Sequence, residues 1–501
     1  MKEHIIIIGG GLGGLFTGAI LAKEGYKVTI FEKNHTIGGG LQTFKRNGET
    51  FATGMHILGG FRKNQSIRKL CKYLNIWKDL ELIDVDSDCM DTIFYLSDNK
   101  LYRIAEGKEN FVESLAKEFP HERENLKRYI DALYKLTEGI DLFHLKSTER
   151  SLFSHPDEFF WAADDFIAHY IKDEKLRDVL GYMNALYGGV AKHTPAYIHA
   201  IINTLYINGP SRFAGESQQL ADALEHIITE GGGEVHHGTP VNHIEVEEKE
   251  VKYIVDSKGN KHTADRYISA IHPCAMLSII KEDAFPRSYK TRINSIPSTI
   301  SAFSVYLKLK ENTFPYINHT CYCQDDYGLM WNFSDQGTRW PQGFMYMTPP
   351  NKNQGHYATK MTITAPMSFE LARKWEDTTI GKRGSDYEAW KEECTEKLLS
   401  KLEVIYPNIR ECIDEIYTAS PLTIRDYYNV KEGAMYGFRK DCEQLALSQI
   451  PTYTKIKNLL LTGQNINLHG ICGVPLTAIK TAEAIIGENV ILHKVNKQDN
   501  E

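Results

Sequence analysis

The pattern with the clearest chemistry in this sequence is a glycine-rich turn with an acidic residue about twenty positions beyond it. The turn reads Gly9-Gly10-Gly11-Leu12-Gly13-Gly14, and Glu32 closes the apolar run that comes next. Gly9 permits a tight turn, Gly11 lets the backbone approach a pyrophosphate, and Gly14 lets the following helix lie close to the strand. A carboxylate at Glu32 accepts both hydroxyls of a ribose, which disfavours a 2′-phosphate and hence NADP. The spacing therefore predicts a dinucleotide held at the N-terminus of a helix.

Two strands and one helix must position this turn. Residues 5–8 form a continuous apolar run, as expected for a parallel strand that is buried on both faces. Leu15 and Ala19 begin an apolar stripe at helical spacing. Residues 28–31 read as the second strand and place Glu32 at its end. The sequence thus predicts an α/β fold of the Rossmann type.

A glycine doublet, Gly38-Gly39, follows the acid after a short spacer. This order resembles the signature of glutathione-reductase-like flavoproteins in the amine oxidase and phytoene desaturase branch, and the resemblance implies FAD as the cofactor. It also implies cofactor contacts at Lys33, Gly40 and Leu41. The family usually places a basic residue beside the doublet, whereas this chain continues Gly40-Leu41-Gln42-Thr43. The usual cationic contact to the cofactor is therefore left unassigned.

A second segment, residues 215–273, carries a further part of the resemblance. A helix leads to Gly232-Gly233-Glu234-Val235, and residues 268–273 read Ile-Ser-Ala-Ile-His-Pro. In the family a valine between these two motifs meets the adenine through its backbone, and we assign that contact to Val241. A generic helix and hairpin would explain the segment equally well if it stood alone.

The third segment lies near the C-terminus. Residues 458–465 read as a strand that runs into a loop containing Gly463 and Gln464, and Gly473-Val474-Pro475 is expected to open a helix. Proline in the first helical turn costs no intrahelical hydrogen bond. In related flavoproteins this helix directs its N-terminus at the pyrimidine edge of the flavin. We therefore expect Gly463, Gln464, Gly473 and Val474 to contact the cofactor.

Two shorter blocks resemble the phytoene desaturase, carotenoid isomerase and retinol saturase family more closely. Residues 48–60 look like a block of retinol saturases and carotenoid isomerases, although Ala52 stands where that block has an aspartate. Residues 420–427, with residues 433–437 beyond them, look like a second block of the same group. Together the resemblances cover the cofactor frame well and the substrate cavity poorly.

These two blocks contain the candidate catalytic residues. His56 is placed to move a proton above the flavin, for which a pKa near 6.5 suits it. Equally, it is placed to bind a backbone carbonyl and hold its loop. Arg425, Asp426 and Tyr427 are expected to orient a loop against the flavin, although an Arg425–Asp426 pair would look the same in the sequence.

The chain of 501 residues exceeds the roughly 250 to 300 residues at which single cores stop growing. No repeat or low-complexity linker divides it, and the cofactor-like motifs recur in three separated places. We therefore predict a glutathione-reductase-like FAD-binding Rossmann domain from residues 1–75, 212–285 and 420–501. It is interleaved with an α+β substrate domain from residues 76–211 and 286–419.

Aromatic residues cluster in the predicted substrate domain. One face of a predicted helix carries Phe159, Ala163, Phe166 and Tyr170, and nearby lie Phe153, Phe160 and Trp161. Two interpretations stay open: the wall or lid of a long apolar tunnel that also touches a membrane surface, or ordinary core packing. Acidic residues around the cluster would repel anionic lipid, which counts against the membrane contact.

Charge and cysteine content exclude several partners. A net charge of -7 and a pI near 6.3 argue against nucleic acid. No run reaches the ~18 apolar residues of a membrane span, and the strand that begins near His4 leaves no room for a leader. Nine scattered cysteines indicate reduced thiols and a cytoplasmic protein. His236, His237 and His243 have no partners at ligand spacing, so no metal site is predicted.

The residues and resemblances together predict an FAD-dependent oxidoreductase. Its substrate would be a long, apolar polyene or isoprenoid, and its reaction a saturation, desaturation or isomerisation at carbon–carbon bonds. Because no second glycine-rich fingerprint follows the first, electrons would pass to or from a separate carrier or a transiently bound nicotinamide. A flavin amine oxidase stays open as an alternative. So does a prenyl-binding escort similar to GDP-dissociation inhibitors, although Glu32 and the intact glycines count against it.

Overall fold

The computed structural model describes residues 2–147, 154–333 and 337–500. The strands are β1 (His4–Ile8), β2 (Lys27–Phe31), β3 (Thr43–Arg46), β4 (Glu49–Ala52), β5 (Leu82–Asp84), β6 (Asp91–Tyr95), β7 (Lys100–Ile104), β8 (Ser211–Phe213), β9 (Glu234–His236), β10 (Val241–Glu247), β11 (Glu250–Asp256), β12 (Lys261–His262), β13 (Arg266–Ser269), β14 (Ser301–Leu309), β15 (Thr320–Gln324), β16 (Gly343–Met347), β17 (Lys360–Met367), β18 (Ile413–Ala419) and β19 (Leu459–Leu461). The α-helices are α1 (Leu12–Lys23), α2 (Ser66–Tyr73), α3 (Lys108–Ala116), α4 (Arg123–Glu138), α5 (Ala163–Tyr170), α6 (Glu174–Leu180), α7 (Ala196–Ile207), α8 (Gln218–Glu230), α9 (Pro273–Ile279), α10 (Arg287–Ser295), α11 (Ser385–Ile405), α12 (Ile409–Cys412), α13 (Pro421–Tyr428), α14 (Leu445–Ser448), α15 (Gly470–Ile486) and α16 (Val490–Asn496).

A five-stranded parallel sheet carries the predicted dinucleotide fold. Its strand order is β19-β13-β1-β2-β9, and every neighbouring pair runs parallel. The four isoleucines of β1 are at most 3% exposed, as expected for a strand that is buried on both faces. The strands come from three separated parts of the chain. The α/β Rossmann fold predicted from the sequence is confirmed.

A second, seven-stranded sheet lies in the ranges predicted for substrate. Its order is β18-β14-β17-β16-β15-β6-β7, with β6 and β15 parallel and the other pairs antiparallel. One face, which includes Phe303 and Ile363, forms a core with α11. The opposite face presents Ile93, Tyr322 and Met345 to the main core. The alternation follows from the two-residue period of a strand. The predicted domain boundaries stay a prediction.

The predicted aromatic helix is split in two, which corrects the sequence analysis. A 3-10 turn covers Asp157–Phe160, and α5 begins three residues later. Trp161 and Ala162 between them have extended backbone. Ala162 pairs with Pro195 in an isolated β-bridge. This tertiary pairing straightens the chain where apolar periodicity alone predicted a continuous helix.

The large rings of this segment pack inside the protein. Phe159 and Phe166 are at most 2% exposed, and Phe159 stacks on Tyr197 with ring centroids 4.6 Å apart. Both phenylalanines belong to the main hydrophobic core. Phe153, the remaining aromatic of the cluster, lies outside the described residues. Core packing therefore accounts for Phe159 and Phe166.

All nine cysteines lie in the described part of the chain, and none forms a disulfide bond. Cys321 and Cys323 stand two residues apart on β15, so their side chains point to the same face and into the core beside α11. Burial raises the pKa of the Cys321 thiol to about 11. Both thiols are therefore packing residues. Over the same described residues, no helix is both long enough and apolar enough to cross a bilayer.

Candidate functional site

Three separated glycine segments meet at the carboxyl ends of β1 and β2. Gly11 and Gly38 form an isolated parallel β-bridge. A Cβ atom on Gly39 would lie 3.2 Å from the Gly11 Cα. A Cβ atom on Gly13 would lie 2.9 Å from the Gly463 Cα, which is too close for any side chain. The residues predicted to contact one cofactor are therefore neighbours, and their backbones approach closely because they lack side chains.

Helix α1 begins inside this cluster and lies against the strand. A Cβ atom on Gly14 would lie 2.0 Å from the Gly9 carbonyl oxygen, so only glycine allows the observed packing. Gly11 is the N-cap residue, and no side chain caps the helix or adds an acidic group to its first turn. The first-turn N–H groups and the positive end of the helix dipole are thus available to a phosphate. Leu12 opens the helix at this position.

The Glu32 carboxylate is fixed at the end of β2. Its Oε2 accepts the Gly10 N–H at 2.7 Å, and its Oε1 accepts the Asn34 N–H at 2.8 Å. Its side chain is buried, with 6% exposed. Each oxygen keeps a lone pair that a ribose hydroxyl can use. Two backbone N–H groups thus fix the orientation of the carboxylate.

The middle segment borders the same strand end. The Thr239 N–H donates to the Glu32 carbonyl at 2.7 Å, and Val241 follows two residues later as the first residue of β10. Ser217 Oγ donates to the Leu41 carbonyl at 2.8 Å, and Gln218 donates to the Ile37 carbonyl at 3.2 Å. The last two contacts brace the glycine doublet from α8. Sequence reasoning missed this role, although a serine directly before a helix was a visible signal.

His56 holds the loop next to the doublet. Its Nε2 lies 2.8 Å from the Gly40 carbonyl oxygen, which can only accept, so Nε2 carries the proton. Burial lowers the pKa of His56 to about 4, partly offset by this bond. The ring is therefore neutral near pH 7. Of the two roles open in the sequence, the geometry favours the loop-holding one.

Arg425 and Asp426 bind each other and their surroundings. Arg425 Nε donates to Asp426 Oδ1 at 2.8 Å, and Arg425 Nη1 donates to the Glu376 carbonyl at 2.7 Å. The nearly buried Arg383 also pairs with Asp426. Lys33 donates to the Asp426 carbonyl. The Lys33 bond anchors α13 to the first βαβ unit. The Arg425–Asp426 pair that the sequence left open is present, and an orienting role of these residues against the flavin stays a prediction.

Tyr427 lies on the surface with 45% of its side chain exposed. The next residue, Tyr428, lies against Gly40 instead, directly after the glycine doublet. Its hydroxyl is 3.2 Å from Thr53 Oγ1 and would lie 3.8 Å from a Cβ atom on Gly40. A helix turns by about 100° per residue, so adjacent residues cannot share a direction. Tyr428 rather than Tyr427 thus lies beside Gly40, and the role predicted for Tyr427 stays a prediction.

Helix α15 begins earlier than the sequence predicted. It starts at Gly470, so Pro475 lies inside it and removes the N–H that would bond to the Ile471 carbonyl. A Cβ atom on Gly473 would lie 2.4 Å from the Leu468 Cβ, so this glycine allows the preceding loop to fold back. Val474 is buried and points towards Gly13. Gln464 is half-buried in the loop before the helix.

A cavity lies between α7 and the start of α15. Its lining residues are Phe143, Leu186, Ile198, Ile201, Ile202, Leu205, Tyr206, Leu468, His469, Gly470, Ile471, Cys472, Gly473 and Leu476. Most are aliphatic, and none of the described lining residues carries a carboxylate or an amine. The Tyr206 hydroxyl is bonded to the Ile57 carbonyl at 3.2 Å. Apart from Gly473, sequence reasoning missed this cavity, for which the apolar character of α7 was the available signal.

A family comparison decides the class of the protein. Residues 12–486 match the model of the family described as flavin-containing amine oxidoreductases. The chain belongs to this family. It is therefore a flavin-dependent oxidoreductase with FAD as its cofactor, as the sequence predicted. Membership of this enzyme family excludes the alternative that the chain is a prenyl-binding escort.

Two relatives show what this flavoprotein is similar to. All-trans-retinol 13,14-reductase of Rattus norvegicus is 24% identical over 528 residues, which span 98% of this chain and 86% of the relative. Prolycopene isomerase 2, a chloroplastic protein of an Oncidium hybrid cultivar, is 23% identical over 458 residues, spanning 86% of this chain and 74% of the relative. The resemblance to the retinol saturase and carotenoid isomerase group is confirmed.

A solved structure gives the fold of this flavoprotein independently. Wild-type putrescine oxidase bound to putrescine superposes with a TM-score of 0.66 at 16% identity, covering 97% of this chain and 99% of that chain. At this identity the likeness shows the fold alone. The glycine cluster, the uncapped α1 and the Glu32 carboxylate suit a dinucleotide such as FAD, since they offer close backbone, N–H donors and a ribose acceptor.

Proposed function

We propose that this flavoprotein saturates or isomerises carbon–carbon double bonds in a long, apolar polyene or isoprenoid. The observation that carries the proposal is the cavity between α7 and α15, whose lining side chains are mostly aliphatic. These aliphatic side chains would bind part of a hydrocarbon chain through burial of apolar surface. The names of the relatives, a retinol reductase and a prolycopene isomerase, agree with a conjugated apolar substrate.

The proposed cofactor contacts follow the glycine cluster. They comprise Gly9, Gly11, Leu12, Gly13, Gly14, Glu32, Lys33, Gly38, Gly39, Gly40, Leu41, Val241, Gly463, Gln464, Gly473 and Val474. Glu32 would accept ribose hydroxyls and the first turn of α1 would bind the pyrophosphate. Lys33 directly follows Glu32, the proposed ribose acceptor, in the sequence. Burial lowers the pKa of the Lys33 amine.

The chain's own share of the reaction is to bind, orient and keep water out. Bound FAD supplies hydride transfer, which aliphatic side chains cannot perform. The residues of α7 and α15 enclose the substrate, and an apolar enclosure excludes water from the reacting bond. His56 fixes the Gly40 carbonyl and thereby the loop on which the cofactor would rest.

Saturation consumes two electrons, and the proposal assigns their supply to a separate carrier or a transiently bound nicotinamide. Isomerisation leaves the substrate's oxidation state unchanged. Peripheral membrane contact is not part of the proposal, because Phe159 and Phe166, two of the rings that suggested it, are buried in the core.

Anaerobic incubation of the FAD-loaded protein with a panel of polyenes, retinoids and isoprenoids tests the proposal. The flavin is supplied either oxidised or dithionite-reduced, and product mass is measured. We expect the reduced protein to return a product two hydrogens heavier or an isomer of equal mass. A product two hydrogens lighter from the oxidised protein would instead show desaturation. If no panel member reacts in either state, the proposed substrate class is wrong.

A flavin amine oxidase is the second candidate, because putrescine oxidase shares the fold. A protonated amine would enter this cavity without a carboxylate to pair with, and burying an unpaired charge is costly. An amine panel in air, with peroxide detection, separates the two candidates. Peroxide release on one amine at a rate above that of any polyene reaction would favour the amine oxidase.

A further inference from the structure

Three side chains of metal-binding type, from two distant segments of the chain, meet away from the proposed cofactor contacts. They are His193, in the loop before α7, and Asp441 and Glu443, in the segment before α14. One ligand atom from each residue lies within 4.8 Å of the other two. Over the described residues, this is the one group of three or more histidine, cysteine or acidic side chains with such a spacing. The cluster is therefore a candidate cation site.

Backbone hydrogen bonds hold the two segments together. The Cys442 N–H donates to the His193 carbonyl at 2.7 Å, which places the turn at residues 441–444 against the histidine. Within the turn, the Gln444 N–H donates to the Asp441 carbonyl at 3.2 Å, and the Glu443 N–H donates to Asp441 Oδ1 at 3.0 Å. The buried Asp441 carboxylate is thereby fixed beside the ring of His193.

The contact between His193 and Asp441 has the spacing of two ligands on one ion. His193 Nδ1 is 3.1 Å from Asp441 Oδ2, yet this buried nitrogen makes no hydrogen bond to any described residue. Two atoms that each lie about 2.0 to 2.2 Å from one zinc ion are roughly 3 to 3.5 Å apart. A cation bound to both atoms uses the Nδ1 lone pair and removes the cost of leaving a buried nitrogen unpaired.

The charges around the cluster suit a cation. Two carboxylates face one guanidinium, because Arg439 Nη2 donates to Asp441 Oδ2 at 3.3 Å. A metal-binding carboxylate commonly accepts such an outer hydrogen bond, which holds its orientation. Lys192, the preceding residue of the histidine loop, pairs with Asp164 and Asp165 on α5. The positive charge of this lysine is therefore balanced elsewhere.

The donor set favours a transition-metal dication. One imidazole and two carboxylates suit Zn²⁺, whereas Ca²⁺ and Mg²⁺ prefer oxygen ligands. Cys442 does not belong to the set, since its thiol donates to the Lys192 carbonyl at 3.5 Å. Glu443 is exposed and the His193 side chain is 37% exposed, so an ion can enter from solvent.

We propose that His193, Asp441 and Glu443 bind one Zn²⁺ ion, which links the loop before α7 to the segment before α14. Helix α7 begins three residues after His193 and lines the apolar cavity, so the ion fixes the N-terminal end of this helix. None of the three ligands is among the cavity-lining residues or the proposed cofactor contacts. The zinc site therefore stands or falls independently of the proposed reaction.

Zinc titration of the tag-free, FAD-loaded protein tests the site. A chromophoric chelator competes for Zn²⁺, and thermal unfolding is followed with and without the metal. Wild type should bind one zinc ion per chain and unfold at a higher temperature in its presence. His193→Ala and Glu443→Gln should each weaken binding by more than about 100-fold, since even the outer partners of a metal site contribute about 10- to 100-fold. Zinc should no longer raise the unfolding temperature of either variant.

His226→Ala and Cys442→Ser are the matched controls. His226 pairs with Glu230 at 3.0 Å but has no third ligand among the described residues, and the Cys442 thiol is bonded to a backbone carbonyl. Both variants should bind zinc as wild type does. Because Glu443 is exposed, Glu443→Gln reports on the site even if His193→Ala fails to fold. Equal zinc affinity in wild type and Glu443→Gln, or loss of binding in Cys442→Ser, would overturn the proposal.

Discussion

The Nε2 atom of His56 and the carbonyl oxygen of Gly40 are 2.8 Å apart, so one imidazole ties down the loop that follows the glycine doublet. The two residues are sixteen positions apart, and Thr53 Oγ1 lies 3.2 Å from the same carbonyl. A neutral ring can hold this loop at any pH above its lowered pKa. The relationship gives His56 a positioning role that activity measurements can separate from proton transfer.

Replacing His56 by alanine should weaken FAD binding by about 2- to 10-fold, the effect of losing one neutral hydrogen bond. The pH profile of kcat should keep its shape between pH 5 and 8, because a pKa of about 4 places no His56 ionisation there. Flavin fluorescence titration and pH-rate profiles measure both. His226→Ala, at an exposed histidine on α8, is the control. Loss of a titration near pH 6.5 in His56→Ala would instead show proton transfer.

Gly13→Ala should abolish FAD incorporation. The new Cβ atom would lie 2.9 Å from the Gly463 Cα, so α1 and the C-terminal loop would be pushed apart at the proposed cofactor contacts. Absorbance at the flavin band after reconstitution is the measurement. Gly355→Ala serves as the control, since a Cβ atom on Gly355 would meet nothing within 4 Å. Full flavin content in Gly13→Ala would contradict the assigned contact.

Glu32→Gln should weaken FAD binding by about tenfold or more. The amide cannot accept the N–H groups of both Gly10 and Asn34, and hydrogen bonds to a charged acceptor contribute about 1.5 to 3 kcal/mol. Equilibrium dialysis against FAD gives the dissociation constant. Glu230→Gln, on the exposed end of α8, should leave it unchanged. Equal affinities for wild type and Glu32→Gln would remove Glu32 from the site.

Tyr427→Phe and Tyr428→Phe should behave differently although the residues are adjacent. The Tyr427 ring is 45% exposed, so its hydroxyl should be dispensable for turnover. The Tyr428 hydroxyl lies 3.2 Å from Thr53 Oγ1 beside Gly40, so its removal should lower kcat several-fold. Steady-state assays of both variants on the same substrate compare them. A larger effect at Tyr427 would restore the assignment made from the sequence.

The free energy of unfolding should fall as the pH falls from about 6.5 towards 4. His199 is fully buried between the hydroxyls of Tyr129 and Tyr187, and burial lowers its pKa to about 3. Below pH 6.5, His199 binds a proton in the unfolded chain but not in the folded protein, so acid favours unfolding. His272 adds to this trend, since burial lowers its pKa to about 4.

Asp91 acts in the opposite direction. Burial raises its pKa to about 7, so the stability it contributes below pH 3.8 is lost as the pH rises towards 7. Urea unfolding at intervals from pH 8 to 4 measures the balance. Asp178 acts in the same direction as Asp91, since burial raises its pKa to about 6. Five histidines whose pKa burial lowers outnumber such carboxyls, so we expect a net loss of stability in acid; they are His56, His199, His272, His319 and His469. Stability that rises between pH 7 and 5 would show that Asp91 dominates.

The local order of a Rossmann unit was predictable because strand, turn and helix are contiguous. One short stretch of sequence predicts this unit, because it contains the apolar run of β1, the glycines of the turn and Glu32. In the structure β1 and β2 pair in parallel, as predicted. The joining of three distant segments followed from the resemblance rather than from any local pattern. Hydrogen bonds such as Ser217 to Leu41 join residues far apart in the chain, and no spacing rule encodes them.

Errors arose where a tertiary contact overrode a local preference. Pro475 suggested a helix start, yet α15 begins at Gly470 because the loop before it folds back onto Gly473. The sequence left the pairing of Arg425 with Asp426 open, and Arg383, the second partner of Asp426, comes from a distant segment.

The position of β19 in the parallel sheet has a consequence for biosynthesis. This strand pairs with β13, which lies far earlier in the chain, by Leu459 against Tyr267 and its neighbours. During translation, one edge of β13 remains unpaired until β19 has been synthesised and has left the ribosome. Such late, long-range pairing slows folding and exposes an edge to other chains. A nascent chain released before Leu459 would therefore be a target for chaperones and unable to complete the cofactor site.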